Sequence, residues 1–157
     1  MTVHPGYALA RDESLEEFEM GVGSVLSLKV TGQQSNGLVT VIDGVVAFGG
    51  PPFHVHEAED EVVICLEGEL TYQVGEQRGV LEPGGVAWLP RKAPHAVANL
   101  AEQTCRFLTV VTPSGIEDFF RAQHNYLASL GDNPFEPAAF AGVPGGHQRP
   151  IVGAPLT

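Results

Sequence analysis

Between residues 51 and 68 the chain reads PPFHVHEAEDEVVICLEG. His54 and His56 stand one residue apart, and Glu61 heads the apolar run VVICL. A carboxylate there is costly to bury unless something neutralises it. Residues i and i+2 of a strand face the same way, so an extended FHVHE points both imidazoles into one interior. A hairpin through EAED would return Glu61 to them. APHAVAN offers a third imidazole, His95, at the start of another strand. Three neutral imidazoles and one carboxylate make a ligand set for one divalent transition metal: Fe, Ni, Mn, Co or Zn. Such an ion would offset the charge of Glu61.

These residues need a scaffold, and the flanking pattern supplies one. Short runs rich in Val, Leu, Thr and aromatics recur: SVLSLKV, LVTVI, GVVAF, EVVICLEG, LTYQVG, GVAWLP, HAVANL and CRFLTVV. Glycine and proline separate them, which predicts an all-β sandwich or barrel. SNG (35–37) and EGE (67–69) read as hairpin turns. No repeat of fixed period is present, so one barrel is expected. After residue 112 the period changes. PSGIEDFFRAQHNYLASLG predicts a helix, with Ser114 and Glu117 as a capping box and Gly131 as its stop. Ile116, Phe119, Phe120, Gln123, Leu127 and Leu130 form its packing face. Proline-rich residues 132–157 predict an extended arm or irregular tail. The division expected is an N-terminal segment (1–23), a β-barrel (24–112), a C-terminal helix (113–131) and the arm (132–157). The acidic stretch Asp12–Glu19 reads as a solvated turn or short helix.

Composition removes other classes. A chain of 157 residues with 43% apolar content suits one domain with a sizeable core. Its net charge of −11 repels phosphate backbones, and no basic stripe is present, so no nucleic-acid partner is expected. No apolar run approaches the roughly 20 residues that span a bilayer. The N-terminus shows no signal-peptide pattern. Cys65 and Cys105 form no CxxC and read as buried free thiols. A cytoplasmic protein is expected. The helix stripe and the arm exceed what one small barrel needs for its own cover, so a homodimer is expected, with the arm or N-terminal segment crossing to the partner.

The histidine stretch resembles the first cupin motif, G(X)5HXH(X)3–4E(X)6G. Here it runs His54, Val55, His56, four residues, Glu61, six residues, Gly68. Gly49 precedes His54 by four intervening residues where the pattern has five. The second motif, G(X)5PXG(X)2H(X)3N, matches Gly84, Pro90, His95 and Asn99, with Lys92 in place of the internal glycine. Together the motifs cover residues 49 to 99. The resemblance implies a double-stranded β-helix (jelly-roll) barrel, often dimeric, binding a metal through His54, His56, Glu61 and His95. Within the superfamily the chain looks most like small single-domain cupins of the quercetinase type, which are flavonol dioxygenases.

The ligand set and the resemblance together leave three functions open. The first is a dioxygenase, for which the resemblance implies an enolic or aromatic small molecule, flavonol-like or polyketide-like, as substrate. Glu61 would then both ligate the metal and take the substrate's acidic proton. The second is a non-redox cyclase or isomerase using the metal as a Lewis acid. The third is a cupin that binds a small ligand without turnover. Val63, Tyr72, Trp88 and Phe107 are candidates for the substrate pocket, with core packing as the competing role. His4, His124 and His147 read as surface residues. Glu57, Glu59 and Asp60 read as turn carboxylates, with a supporting contact to the metal ligands the alternative for Glu59. Arg91 and Lys92 could draw an anionic substrate to the barrel mouth.

Overall fold

The computed structural model describes residues 2–21 and 23–157. Residues 1 and 22 of the expected N-terminal segment lie outside the described residues. Two antiparallel sheets face each other as a double-stranded β-helix (jelly roll). One has the order β1 (Glu16–Glu19), β2 (Ser24–Val30), β3 (Thr40–Val46), β10 (Cys105–Thr112), β5 (Asp60–Glu67), β8 (Val86–Leu89). The other has the order β11 (Ile151–Pro155), β4 (Pro52–His54), β9 (His95–Ala98), β6 (Leu70–Val74), β7 (Gln77–Leu81).

Alternation of side chains builds the interior. On β10, Cys105, Phe107, Thr109 and Val111 are buried, while Arg106, Leu108 and Val110 face the other way. Cys105 and Phe107 join Val63, Cys65, Leu70 and Leu89 in the main core. Gly44, in the middle of β3, lies under the Phe107 ring: a Cβ there would sit 2.3 Å from Phe107 Cζ.

Several expectations change here. EGE is a corner and not a hairpin, because β5 and β6 belong to different sheets. Gly68 supplies the corner's positive φ of 72°. The Asp12–Glu19 stretch contains β1, since Phe18 is fully buried between outward-facing glutamates. LVTVI and GVVAF contribute to one strand, β3.

The helix α1 (Ile116–Ser129) forms as expected, but without the capping box. Gly115, at φ 128°, occupies the cap position, so the helix starts one residue late for Ser114. Glu117 instead accepts from the backbone N–H groups of Gly115 (2.9 Å) and Gly32 (2.8 Å) and from the Thr40 hydroxyl. The helix face packs on its own barrel: Ile116 and Phe119 meet Phe18, Leu28, Ile42 and Val111. Residues 132–157 are more regular than their prolines suggest. Pro137 opens a short helix α2 (Pro137–Ala141), where its missing N–H costs nothing. Strand β11 then pairs with β4 of its own chain. The helix stripe packs on its own barrel and β11 pairs within its own chain, while every residue of β11 stays exposed. Among the described residues no helix is long and apolar enough to cross a membrane.

Candidate metal centre

His54 ends β4 and His95 begins β9, and the two are paired in register. His56 lies just past β4, on the connection that crosses from one sheet to the other. EAED is therefore a second corner and not a hairpin. Lys92 N–H donates to His56 O (2.7 Å), which ties this corner to the turn before His95. Lys92 holds φ 66°, the left-handed conformation that the missing glycine would have adopted. The turn keeps its shape despite the substitution.

The three rings converge. Their centroids lie 4.5–5.0 Å apart, and one ring nitrogen of each falls within 4.8 Å of the other two. His54 Nε2 and His56 Nε2 stand 3.1 Å apart. Glu61 Oε2 lies 3.6 Å from His95 Nε2 and 3.8 Å from His56 Nε2. Ligands at 2.0–2.1 Å from one ion are separated by roughly 2.8–3.0 Å at octahedral angles and roughly 3.3–3.4 Å at tetrahedral angles. The His54–His56 pair lies in that span, and the Glu61 contacts at 3.6 and 3.8 Å would have to shorten to reach it. His95 Nε2 is buried without a hydrogen-bond partner, a state that is costly unless something binds it. These residues fit a divalent metal.

Neighbouring groups orient these side chains. His54 Nδ1–H can donate to Pro52 O (2.8 Å) and His95 Nδ1–H to Ala93 O (3.0 Å). This tautomer leaves both Nε2 atoms as electron-pair donors. Thr109 donates to Glu61 Oε1 (2.9 Å), leaving Oε2 toward the histidines. Sequence reading missed Thr109, although a threonine among the inward residues of β10 was a usable signal. It also underestimated Glu59, which is 6% exposed and not a solvated turn residue. Glu59 pairs with Arg149, ninety positions away in the chain.

Burial pushes the His56 imidazole down to about 3 and lowers that of His54 as well, so both rings are neutral near pH 7. Burial opposes ionisation of Glu61, but the contact with His95 and the charge that neighbouring imidazoles take up at acid pH hold its carboxyl down to about 2. Burial raises the Glu59 carboxyl against the pull of Arg149.

The pocket candidates scatter. Val63 and Phe107 are packed in the main core and Tyr72 lies against it. Trp88 points out of the barrel and is 53% exposed, because β8 turns Ala87 and Leu89 inward. It does not line the interior. Arg91 is engaged in a two-pronged bond to Asp60 (2.8 and 3.1 Å), which leaves it less free to attract an anion.

A family model described as Cupin domain matches residues 38–111. No curated protein matches the chain. Among solved structures, KdgF from Halomonas sp. is similar with a TM-score of 0.63 and 13% identity, over 73% of this chain and 99% of that one. An RmlC-like cupin from Shewanella frigidimarina NCIMB 400 has a TM-score of 0.60 and 19% identity, over 76% of this chain and 99% of that one. A variant of oxalate decarboxylase OxdC from Bacillus subtilis gives 0.55 and 16%, over 64% of this chain and 28% of that one. At these identities the likeness is one of fold.

Proposed function

We propose that this chain, which carries a cupin domain over residues 38–111, is a metal-dependent enzyme holding one divalent transition metal on His54, His56 and His95, with Glu61 beside them. Its reaction is read as a dioxygenation of an enolic or aromatic small molecule, as in quercetinase-type cupins. The observation that carries the reading is Glu61: one oxygen is held by Thr109 and the other faces two imidazoles. When bound, the metal supplies a Lewis acid for the substrate's enol oxygen and, if redox-active, electrons for dioxygen. Glu61 Oε2 then serves as ligand and as acceptor of the enol proton. The His54 and His56 imidazoles stay neutral and, with His95, hold the ion, and Thr109 keeps the carboxylate from turning away. The free thiols Cys65 and Cys105 support a reducing compartment.

A second reading is a non-redox isomerase or cyclase. It is favoured by the close packing of Val63, Cys65, Leu89 and Phe107 in the barrel interior, which suits a small carbonyl substrate better than a flavonol. The test is elemental analysis of the purified protein, then an oxygen-electrode screen of enols with wild type and Glu61→Gln. Metal-dependent oxygen uptake is expected, with turnover per bound metal reduced by roughly 10²- to 10⁴-fold in Glu61→Gln. Equal turnover per metal would remove the base role. Product formed without oxygen uptake would select the second reading.

A further inference from the structure

Two of the three histidines orient their Nδ1 atoms on backbone carbonyls, but His56 does not. Its Nδ1 is buried without a hydrogen bond, and the group facing it is the Glu59 carboxylate, Oε2 at 3.4 Å. Glu59 is in turn gripped by Arg149, through Nε to Oε2 (3.0 Å) and through the terminal nitrogen to Oε1. Arg149 is 7% exposed, bonded to Gly145 O (2.9 Å) and stacked over the Phe119 ring (5.0 Å). The segment carrying it runs beside the ligands. Val55 N–H donates to Pro150 O (3.1 Å), Glu57 N–H donates to Gln148 O (2.9 Å), and Ile151 is paired with His54.

A buried carboxylate is costly unless paired, and a carboxylate against the far nitrogen of a ligating imidazole fixes its ring and raises its basicity. We propose that Arg149 and Glu59 are positioning residues of the metal centre, so that the C-terminal segment sets how tightly the three histidines hold an ion. This rests on the metal-binding reading above. The competing role is a plain clamp that fastens the tail to the barrel.

Co²⁺ titration separates the two. Metal-free wild type, Glu59→Gln, Arg149→Met and the double variant are titrated with Co²⁺, recording affinity and the visible absorption band. The melting temperature of each metal-free protein is measured alongside. Glu59→Gln is expected to weaken Co²⁺ binding by roughly 10- to 100-fold and to shift the band. Arg149→Met is expected to weaken it comparably, and the double variant no more than Glu59→Gln alone, because both act through one carboxylate. Wild-type affinity and spectrum in the single variants, with only their melting lowered, would overturn the proposal in favour of a clamp. Additive losses would overturn the route through Glu59. If Arg149→Met does not fold, Glu59→Gln decides alone, since it keeps the side-chain shape. A wild type that takes up no Co²⁺ would overturn the metal reading itself, and this inference with it. Normal wild-type binding with no change in Glu59→Gln overturns this inference only.

Discussion

His56 is neutral in the folded chain because burial holds its imidazole down to about 3. In an unfolded chain the same ring takes a proton near 6.5. Above about 6.5 both states leave it neutral and its contribution to stability is complete. As pH falls from about 6.5 toward 3, the unfolded chain binds a proton that the folded chain refuses, so stability drops. Glu61 adds a lower window: its contribution is present above about 4.5 and is lost as pH falls through about 2. Urea denaturation of the metal-free protein should show a lower midpoint at about pH 5 than at about pH 7.5, with a smaller difference in His56→Ala. An unchanged midpoint in wild type would contradict the buried neutral ring. The cluster of His54, His56 and His95 was legible because metal chemistry demands particular side chains at particular spacings. Thr109 was half-legible, as a polar residue on the inward side of an alternating strand. Glu59 was legible only as an alternative supporting residue, and its pairing with Arg149 was not, because no local pattern joins positions ninety residues apart.

The turn that delivers His95 shows how an element can keep its geometry under a substituted residue. Lys92 adopts φ 66° and its N–H holds His56 O. The left-handed conformation costs a side-chain-bearing residue about 1–2 kcal/mol, against about 0.4–1 kcal/mol of extra chain entropy that glycine loses on folding. Lys92→Gly should therefore stabilise the protein by about 0.5–1 kcal/mol, read as a raised urea midpoint, while Lys92→Ala should give no such gain. Equal midpoints for the two variants would contradict a strained turn. Strands were legible wherever residues alternated, as on β10. Their sheet membership was not: a glycine with positive φ serves a hairpin and a corner equally well, so EGE gave no sign that β5 and β6 part company. The capping box failed for a similar reason. Glu117 had better partners, Gly32 and Thr40, in a distant part of the chain.

On the whole molecule, we propose the outer face of the six-stranded sheet as the surface a second copy would cover, since Trp88 and Val86 are exposed on it. Trp88, Val62 and Val110 lie in one register row, and Val86, Ile64 and Leu108 in the next. The charges beside them, Asp43 and Arg106, neutralise each other. In a chain of net charge −11, two copies would repel on their acidic surfaces and meet most readily on this one. We expect a homodimer through this face, with Trp88→Lys shifting it to monomer in light scattering. A monomeric wild type at micromolar concentration would contradict it.

Whether the three histidines and Glu61 hold one metal is decided by counting bound metal. Purified wild type, reloaded with a divalent transition metal and desalted, is analysed for bound metal per chain beside the His54→Ala/His56→Ala double variant. One ion is expected per wild-type chain, released at acid pH as the imidazoles protonate, and next to none in the double variant. Full occupancy in that variant, or none in wild type, would contradict it.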